Sequence, residues 1–375
     1  MLERDIKNRI LSKLQPQKVA LLYGARRVGK TVLTQQVAAS VGSNVIFLNG
    51  EEPQTVAMLS ERSGANYQSL FRDAELLVVD EAQNVAAIGQ VLKLIVDTCP
   101  WLKVMASGSS SFDLQQQVGE PLVGRAYEFR LFPFSLNELS AVVPRTDLWK
   151  HLEEFLVYGC YPELYGIGSL KDKEDYLYEV SQAYLYKDVL SIEGVKNSSK
   201  MRQLLQLLAY QVGQEVSYEE LASKLGLSRN TVEKYVDLLC KTFVIYRLPA
   251  FSRNPRKEVT RPGKIYFADN GIRNALIGDF RHFALRQDIG ALWENYIIAE
   301  RVKKLNNRGE RANLYFWRTY EGQEVDLVEE VGDELRAFEF KWGSRSPEVP
   351  SAFAKLYPNA TYEVVNRTNF LDFAI

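Results

Sequence analysis

Histidine is nearly absent from this chain of 375 residues and cysteine is scarce: two of the first, His151 and His282, and three of the second, Cys99, Cys160 and Cys240. They lie far apart and at no metal-ligand spacing, which argues against a zinc site, Cys/His chemistry or a disulfide framework. Each cysteine reads as a reduced core residue, because free cysteine favours burial. Net charge is also missing. With 46 Lys and Arg against 47 Asp and Glu, no overall field draws the chain to nucleic acid or to a membrane, and any such contact needs a local basic patch. No uninterrupted apolar run approaches the ~20 residues that span a bilayer. The first residues, MLERDIKNRILSKL, are charged and amphipathic, unlike the apolar core of a secretion signal. The expectation is a soluble, cytoplasmic protein with no membrane partner. Hydrophobic residues make up 46%, as in globular proteins, and the length predicts two or three domains.

What is present begins with LLYGARRVGKTVLTQQVA, residues 21–38. Gly24, Gly29, Lys30 and Thr31 fit the pattern GxxxxGK followed by Ser or Thr. The motif lies between an apolar run over 19–23, which reads as a buried strand, and the helical spacing of Val32, Leu33, Val37 and Ala38. That order suits a phosphate cradle, since glycines let backbone N–H groups face a β-phosphate at a helix N-terminus, which favours anions. Lys30 would then reach the β- and γ-phosphates, and the Thr31 hydroxyl would ligate Mg²⁺. A second apolar run over 76–79 ends in Asp80 and Glu81. These acids are expected at the carboxyl end of a central parallel strand, Asp80 holding the Mg²⁺ water shell and Glu81 orienting or deprotonating the attacking water.

A third strand over 102–106 runs into Ser107-Gly-Ser-Ser, and Gly124-Arg125 precedes FRLFPFSLNEL. GARRVGKT, LLVVDEAQ, SGSSS and GR-x5-LFPFSLNEL resemble the AAA+ type P-loop ATPases of bacteria and archaea that carry a C-terminal domain of uncharacterised role. YGCYP at 158–162 and YFADNG at 266–271 extend the likeness over nearly the whole chain. The resemblance implies ATP and Mg²⁺ as cofactors. It also implies a polar residue at the end of the third strand, Ser107 or Ser109, that contacts the γ-phosphate or the water; the plain alternative is a polar turn. Arg125 would supply positive charge to the transferring phosphoryl group, against the alternative of a surface arginine, and Arg26 and Arg27 compete for that role. Such an arginine usually comes from a neighbouring subunit, so its use implies a homo-oligomer.

Past residue 149 the composition changes. Residues 150–200 carry Tyr, Leu and acids at helical spacing and read as a helical lid, with a linker near Lys196-Asn-Ser-Ser-Lys200. In 201–284, Ser217 and Ser228 read as N-caps of two helices joined by a turn at Gly226, and 244–248 and 263–267 read as strands flanking a loop, the pattern of a winged helix. The loop FSRNPRKEVTRPGK holds Arg253, Arg256, Lys257, Arg261 and Lys264 against the single acid Glu258, enough to follow a phosphate backbone. The second helix offers Arg229, Asn230, Thr231 and Lys234 with Glu233 and Asp237 among them, a poor set for reading bases. Weakly specific DNA contact and a subunit-packing role both stay open.

Residues 285–375 hold a last constellation. Glu294 lies in a helical stretch one turn before Ile297 and Ile298, and Glu324–Val328 and Ala337–Trp342 alternate as strands that put Glu339 and Lys341 on one face. The arrangement E…D-x12-E-x-K resembles the PD-(D/E)xK nuclease fold. That resemblance implies Asp326 and Glu339 as Mg²⁺ ligands, Glu294 completing or tuning the site, and Lys341 acting on the water or the developing charge. By pattern alone, solvent-facing strand charges explain the same residues, and a nuclease-like domain that binds without cutting is the other alternative. The expected whole is a P-loop α/β core with a parallel sheet over 1–149, a helical lid over 150–200, a winged helix over 201–284 and a restriction-endonuclease-like α/β domain over 285–375.

Overall fold

The computed structural model describes residues 2–108, 122–183, 197–252 and 263–375. Two compact units emerge, Met1–Phe132 with Lys241–Phe243, and Pro133–Cys240 with Val244–Ile375.

The first unit is a parallel α/β structure. After α1 (Ile6–Lys13) comes β1 (Val19–Gly24), in which every residue is buried, as a central strand covered on both faces requires. The glycine loop leads directly into α2 (Lys30–Val41). Then follow β2 (Val45–Asn49), α3 (Pro53–Ser60), α4 (Gly64–Leu70), the fully buried β3 (Leu76–Asp80), α5 (Ile88–Thr98), β4 (Lys103–Gly108) and β5 (Ala126–Leu131). The sheet order is β2-β3-β4-β1-β5 and every pairing is parallel. Insertion of β4 between β1 and β3 brings Gly24, Asp80 and Ser107 to the same carboxyl edge, where open α/β sheets bind ligands.

The second unit begins with helices. Ser135 and Glu138 form a reciprocal capping box that starts α6 (Leu136–Ser140). It is followed by α7 (Arg145–Lys150), α8 (Leu152–Tyr158) and α9 (Leu170–Ala183). The stretch read as a linker differs in part: Asn197 caps α10 (Ser198–Tyr210) by accepting from the Lys200 N–H, so 198–200 open a helix, while Lys196 lies outside the described residues. Ser217 caps α11 (Tyr218–Leu225), Gly226 closes it in the left-handed conformation, and the Ser228 hydroxyl accepts from the Thr231 N–H at the start of α12 (Arg229–Lys241). β6 (Ile245–Leu248) and β7 (Lys264–Phe267) then pair antiparallel, completing the element order of a winged helix.

After α13 (Asn270–Ile277), the chain runs α14 (Ile289–Arg308), β8 (Asn313–Arg318), β9 (Glu324–Val331), β10 (Glu334–Lys341), α15 (Ser351–Leu356), β11 (Thr361–Asn366) and α16 (Phe370–Ala374). The sheet order is β11-β10-β9-β8, antiparallel except for the parallel β10–β11 pair. Phe338 and Phe340 pack edge-on against Phe373 of α16, which leaves Glu339 and Lys341 on the opposite face as the alternation required. Two polar clamps fix α14. Arg301 donates twice to the buried carboxylate of Glu329 on β9, at 2.6 and 2.7 Å, and Asn295 exchanges two hydrogen bonds with the Phe267 backbone at the end of β7. Cys99 and Cys160 are buried and Cys240 is half-buried, and none of the three is in a disulfide.

Candidate functional site

The loop from Gly24 to Thr31 is shaped by backbone constraints that only some residues meet. A Cβ on Gly24 would lie 2.5 Å from the Leu131 carbonyl oxygen, and Gly29 sits at φ +94°. Lys30 is 5% exposed and donates to the carbonyls of Gly24 and Ala25, at 2.9 and 3.0 Å, so its ammonium is held over the loop itself. Thr31 donates from Oγ1 to Asp80 Oδ2 at 2.6 Å, and Ser107 donates to Asp80 Oδ1. Asp80, 4% exposed, is therefore the hub that joins the loop, β3 and β4. Glu81 follows in the left-handed region at φ 47°, half-exposed, its Oε2 accepting from Gln83 at 2.6 Å. Gly50 makes this turn fit, since a Cβ there would meet the Glu81 carbonyl oxygen at 2.4 Å.

Hydroxyl and carboxylate oxygens side by side form a hard donor set that suits Mg²⁺, and the glycine loop at the start of α2 suits phosphate. Lys30, Thr31, Asp80 and Ser107 are thus brought together, with Glu81 adjacent. Ser109 lies outside the described residues. Arg125 is not part of this cluster. It precedes the first residue of β5, beside the start of β1, and pairs with Asp97 at 2.9 Å, so it stands at the amino edge of the sheet.

A second cluster lies in the other unit. On adjacent strands Asp326 and Glu339 are next in register after the Leu327–Phe338 pair, and Asp326 Oδ2 accepts from the Phe340 N–H at 2.8 Å. Lys341 pairs with Glu339 Oε1 at 2.5 Å. Glu294 does face inward from α14, but it meets a residue assigned to another role. Lys264 of β7, 3% exposed, puts its ammonium 3.0 Å from Glu294, 2.5 Å from Glu324 and 4.0 Å from Asp326. Tyr266 donates to the same Glu294 oxygen at 2.5 Å. Burial, with Asp326 next, pushes the Glu294 carboxyl up to about 7, and burial also raises Asp326 and Glu339. The surrounding acids hold the Lys264 ammonium charged, well above its ordinary value despite burial.

Among the described residues no three Asp, Glu, His or Cys side chains come together as a metal site. The expected ligands Glu294, Asp326 and Glu339 are near one another, but lysines stand among them. The sequence pattern groups Lys264 with the cations of a DNA-following loop and marks no role for Tyr266 or Glu324. Their signal was period two: Lys264 and Tyr266 share one face of β7, and Glu324 and Asp326 one face of β9. Arg253, Arg256, Lys257 and Arg261 lie outside the described residues. In α12, Arg229 pairs with Glu219 at 2.6 Å and Glu233 at 3.6 Å, which leaves it less available to a base.

Strand order, glycine loop and acidic strand end give the first unit the fold of a P-loop NTPase core. Residues 16–140 match the family described as AAA domain, and 150–282 and 289–373 match two domains of unknown function, DUF8612 and DUF4143. An uncharacterized protein of Mycobacterium tuberculosis is 28% identical over 342 residues, covering 90% of this chain and 73% of the relative. Another, of Methanocaldococcus jannaschii, is 24% identical over 349 residues, with 88% and 75% covered. The RuvB Holliday junction branch migration motor of Thermotoga maritima shares 16% identity over 66% of this chain and 90% of its own, at a TM-score of 0.36. No described helix is long and apolar enough to cross a membrane.

Proposed function

We propose that this chain is a Mg²⁺-dependent ATPase that couples its nucleotide state to DNA binding or processing by its C-terminal domain. The observation that carries the first half is the hydrogen bond from Thr31 Oγ1 to Asp80 Oδ2 beside the loop-held Lys30. In this reading Gly24, Gly29, Lys30 and the backbone N–H groups of the loop hold the phosphates, and Thr31 and Asp80 hold Mg²⁺. When bound, the ion would supply charge neutralisation to the phosphates. Glu81 takes the proton of the attacking water or orients it, Ser107 holds Asp80 in place, and Arg125 serves a neighbouring copy in a homo-oligomer. The division at 149, 200 and 284 and a cytoplasmic location belong to the same proposal.

The second half rests on the order α14-β8-β9-β10-α15-β11 and on Asp326, Glu339 and Lys341 sharing one face. Here Asp326, Glu339 and Glu294 would ligate a Mg²⁺ and Lys341 would act on the water or the developing phosphorane charge. The test is cleavage of plasmid DNA and of RNA with Mg²⁺ or Mn²⁺, with and without ATP. Under this reading Asp326→Ala loses metal and cutting, and Lys341→Ala keeps the metal and loses the cut. The position of Lys264 among the carboxylates favours a second reading, a nucleotide-switched regulator or scaffold whose C-terminal domain binds DNA or protein without cleaving. A wild type that cuts neither polymer under any of these conditions decides for it.

A further inference from the structure

Buried charge normally comes paired, and in this domain the pairing is unusual in its geometry. Lys264 belongs to the winged-helix strand β7, yet its ammonium ends among carboxylates of α14 and β9. Three elements therefore meet on one cation. Its place is enforced from both sides: Asn295 ties α14 to the end of β7, and the Glu294 oxygen that accepts from Lys264 also accepts from Tyr266. An ammonium contributes one charge and three donors, where a dication would need several oxygens of the same acids. Glu294, Glu324 and Asp326 cannot serve both at once.

We propose that Lys264 is a built-in counter-cation that occupies the divalent-cation position of the C-terminal domain, with Glu324 as a further oxygen donor there, so that metal enters only when β7 withdraws the lysine. This rests on the reading of Asp326 and its neighbours as a cation site. It makes the winged helix the regulator of that site, because whatever displaces β7 frees the carboxylates, and metal bound to them would by linkage favour the displaced state.

The experiment is Mn²⁺ titration of nucleotide-free protein by calorimetry, comparing wild type with Lys264→Ala, so that any metal held by the first unit is common to both. The variant should gain one site that the wild type lacks or binds at least about tenfold more weakly, because removal of the ammonium leaves the acids uncompensated. Mn²⁺ should also raise the Tm of Lys264→Ala and leave that of the wild type nearly unchanged. Should the single variant not fold, Lys264→Ala with Glu324→Gln removes one charge of each sign and should still bind Mn²⁺ through Glu294 and Asp326. Equal, tight binding by wild type and variant would overturn the proposal while leaving the cation site standing. Absence of an added site in both folded variants would overturn the proposal and the cation-site reading with it.

Discussion

Replacing Arg125 with alanine removes an ion pair to Asp97 whose side chains are 40% and 41% exposed. A pair so open to solvent is worth at most about 1 kcal/mol, so Tm should move by only a few degrees. A catalytic role predicts a much larger effect on rate. Positive charge supplied to the transferring phosphoryl group contributes ~10³–10⁵ in kcat, or ~4–7 kcal/mol of barrier. The parallel register puts Arg125 at the amino end of β5, while the phosphate loop leaves the carboxyl end of the six-residue β1. At ~3.3 Å per residue the two are about 20 Å apart along the sheet, so a catalytic role for Arg125 would require its charge to come from another copy across a head-to-tail interface. Steady-state hydrolysis at saturating Mg·ATP should fall by ~10³-fold or more in Arg125→Ala, with nucleotide affinity nearly intact. Lys30→Ala should be inactive for the opposite reason. On random mixing in equal amounts, about a quarter of interfaces combine an intact loop with an intact arginine, and the mixture should recover up to about a quarter of wild-type turnover. An unchanged kcat in Arg125→Ala, or a mixture no more active than its parts, would refute the reasoning.

Glu81→Gln should keep ATP affinity within a few-fold and slow turnover by about 10²-fold or more, checked by equilibrium binding beside phosphate release. Arg301→Ala should cost about 3–5 kcal/mol in urea unfolding, toward the low end because Arg336 stands 3.7 Å from the stranded Glu329. Arg301→Met with Glu329→Leu should come close to neutral, and equal losses in the single and double variants would count against a buried pair. Burial pushes the Cys160 thiol up to about 12, leaving a thiolate fraction of about 10⁻⁴ at pH 8. Iodoacetamide should therefore label half-buried Cys240 and spare Cys160 until the protein unfolds, as peptide mass spectrometry reads out; comparable labelling of both would contradict that placement.

The phosphate loop was legible because its signals are local. Gly24, Gly29, Lys30 and Thr31 fall within one short loop, and the apolar runs before them and before Asp80 announce strands buried on both faces. Chain order alone did not reveal the hub at Asp80, since its bond to Ser107 depends on β4 entering between β1 and β3. Alternation placed Glu339 and Lys341 on one face, and the turn beyond Glu294 turned it inward. Lys264 escaped for the opposite reason. Its partners are 30 to 62 residues away in sequence, and the four cations that precede it in the loop made it look like one more solvated charge. Nothing in a single strand announces which acids a buried lysine will meet.

The central claim is that Lys30, Thr31 and Asp80 hold ATP for hydrolysis. The direct measurement is phosphate release from Mg·ATP by wild type and by Lys30→Ala, with circular dichroism confirming that both are folded. Wild type should turn over, and the variant should lose hydrolysis by ~10²–10³-fold or more, because the ammonium that follows the phosphates into the transition state is gone. A folded Lys30→Ala that hydrolyses ATP as fast as wild type would contradict the claim.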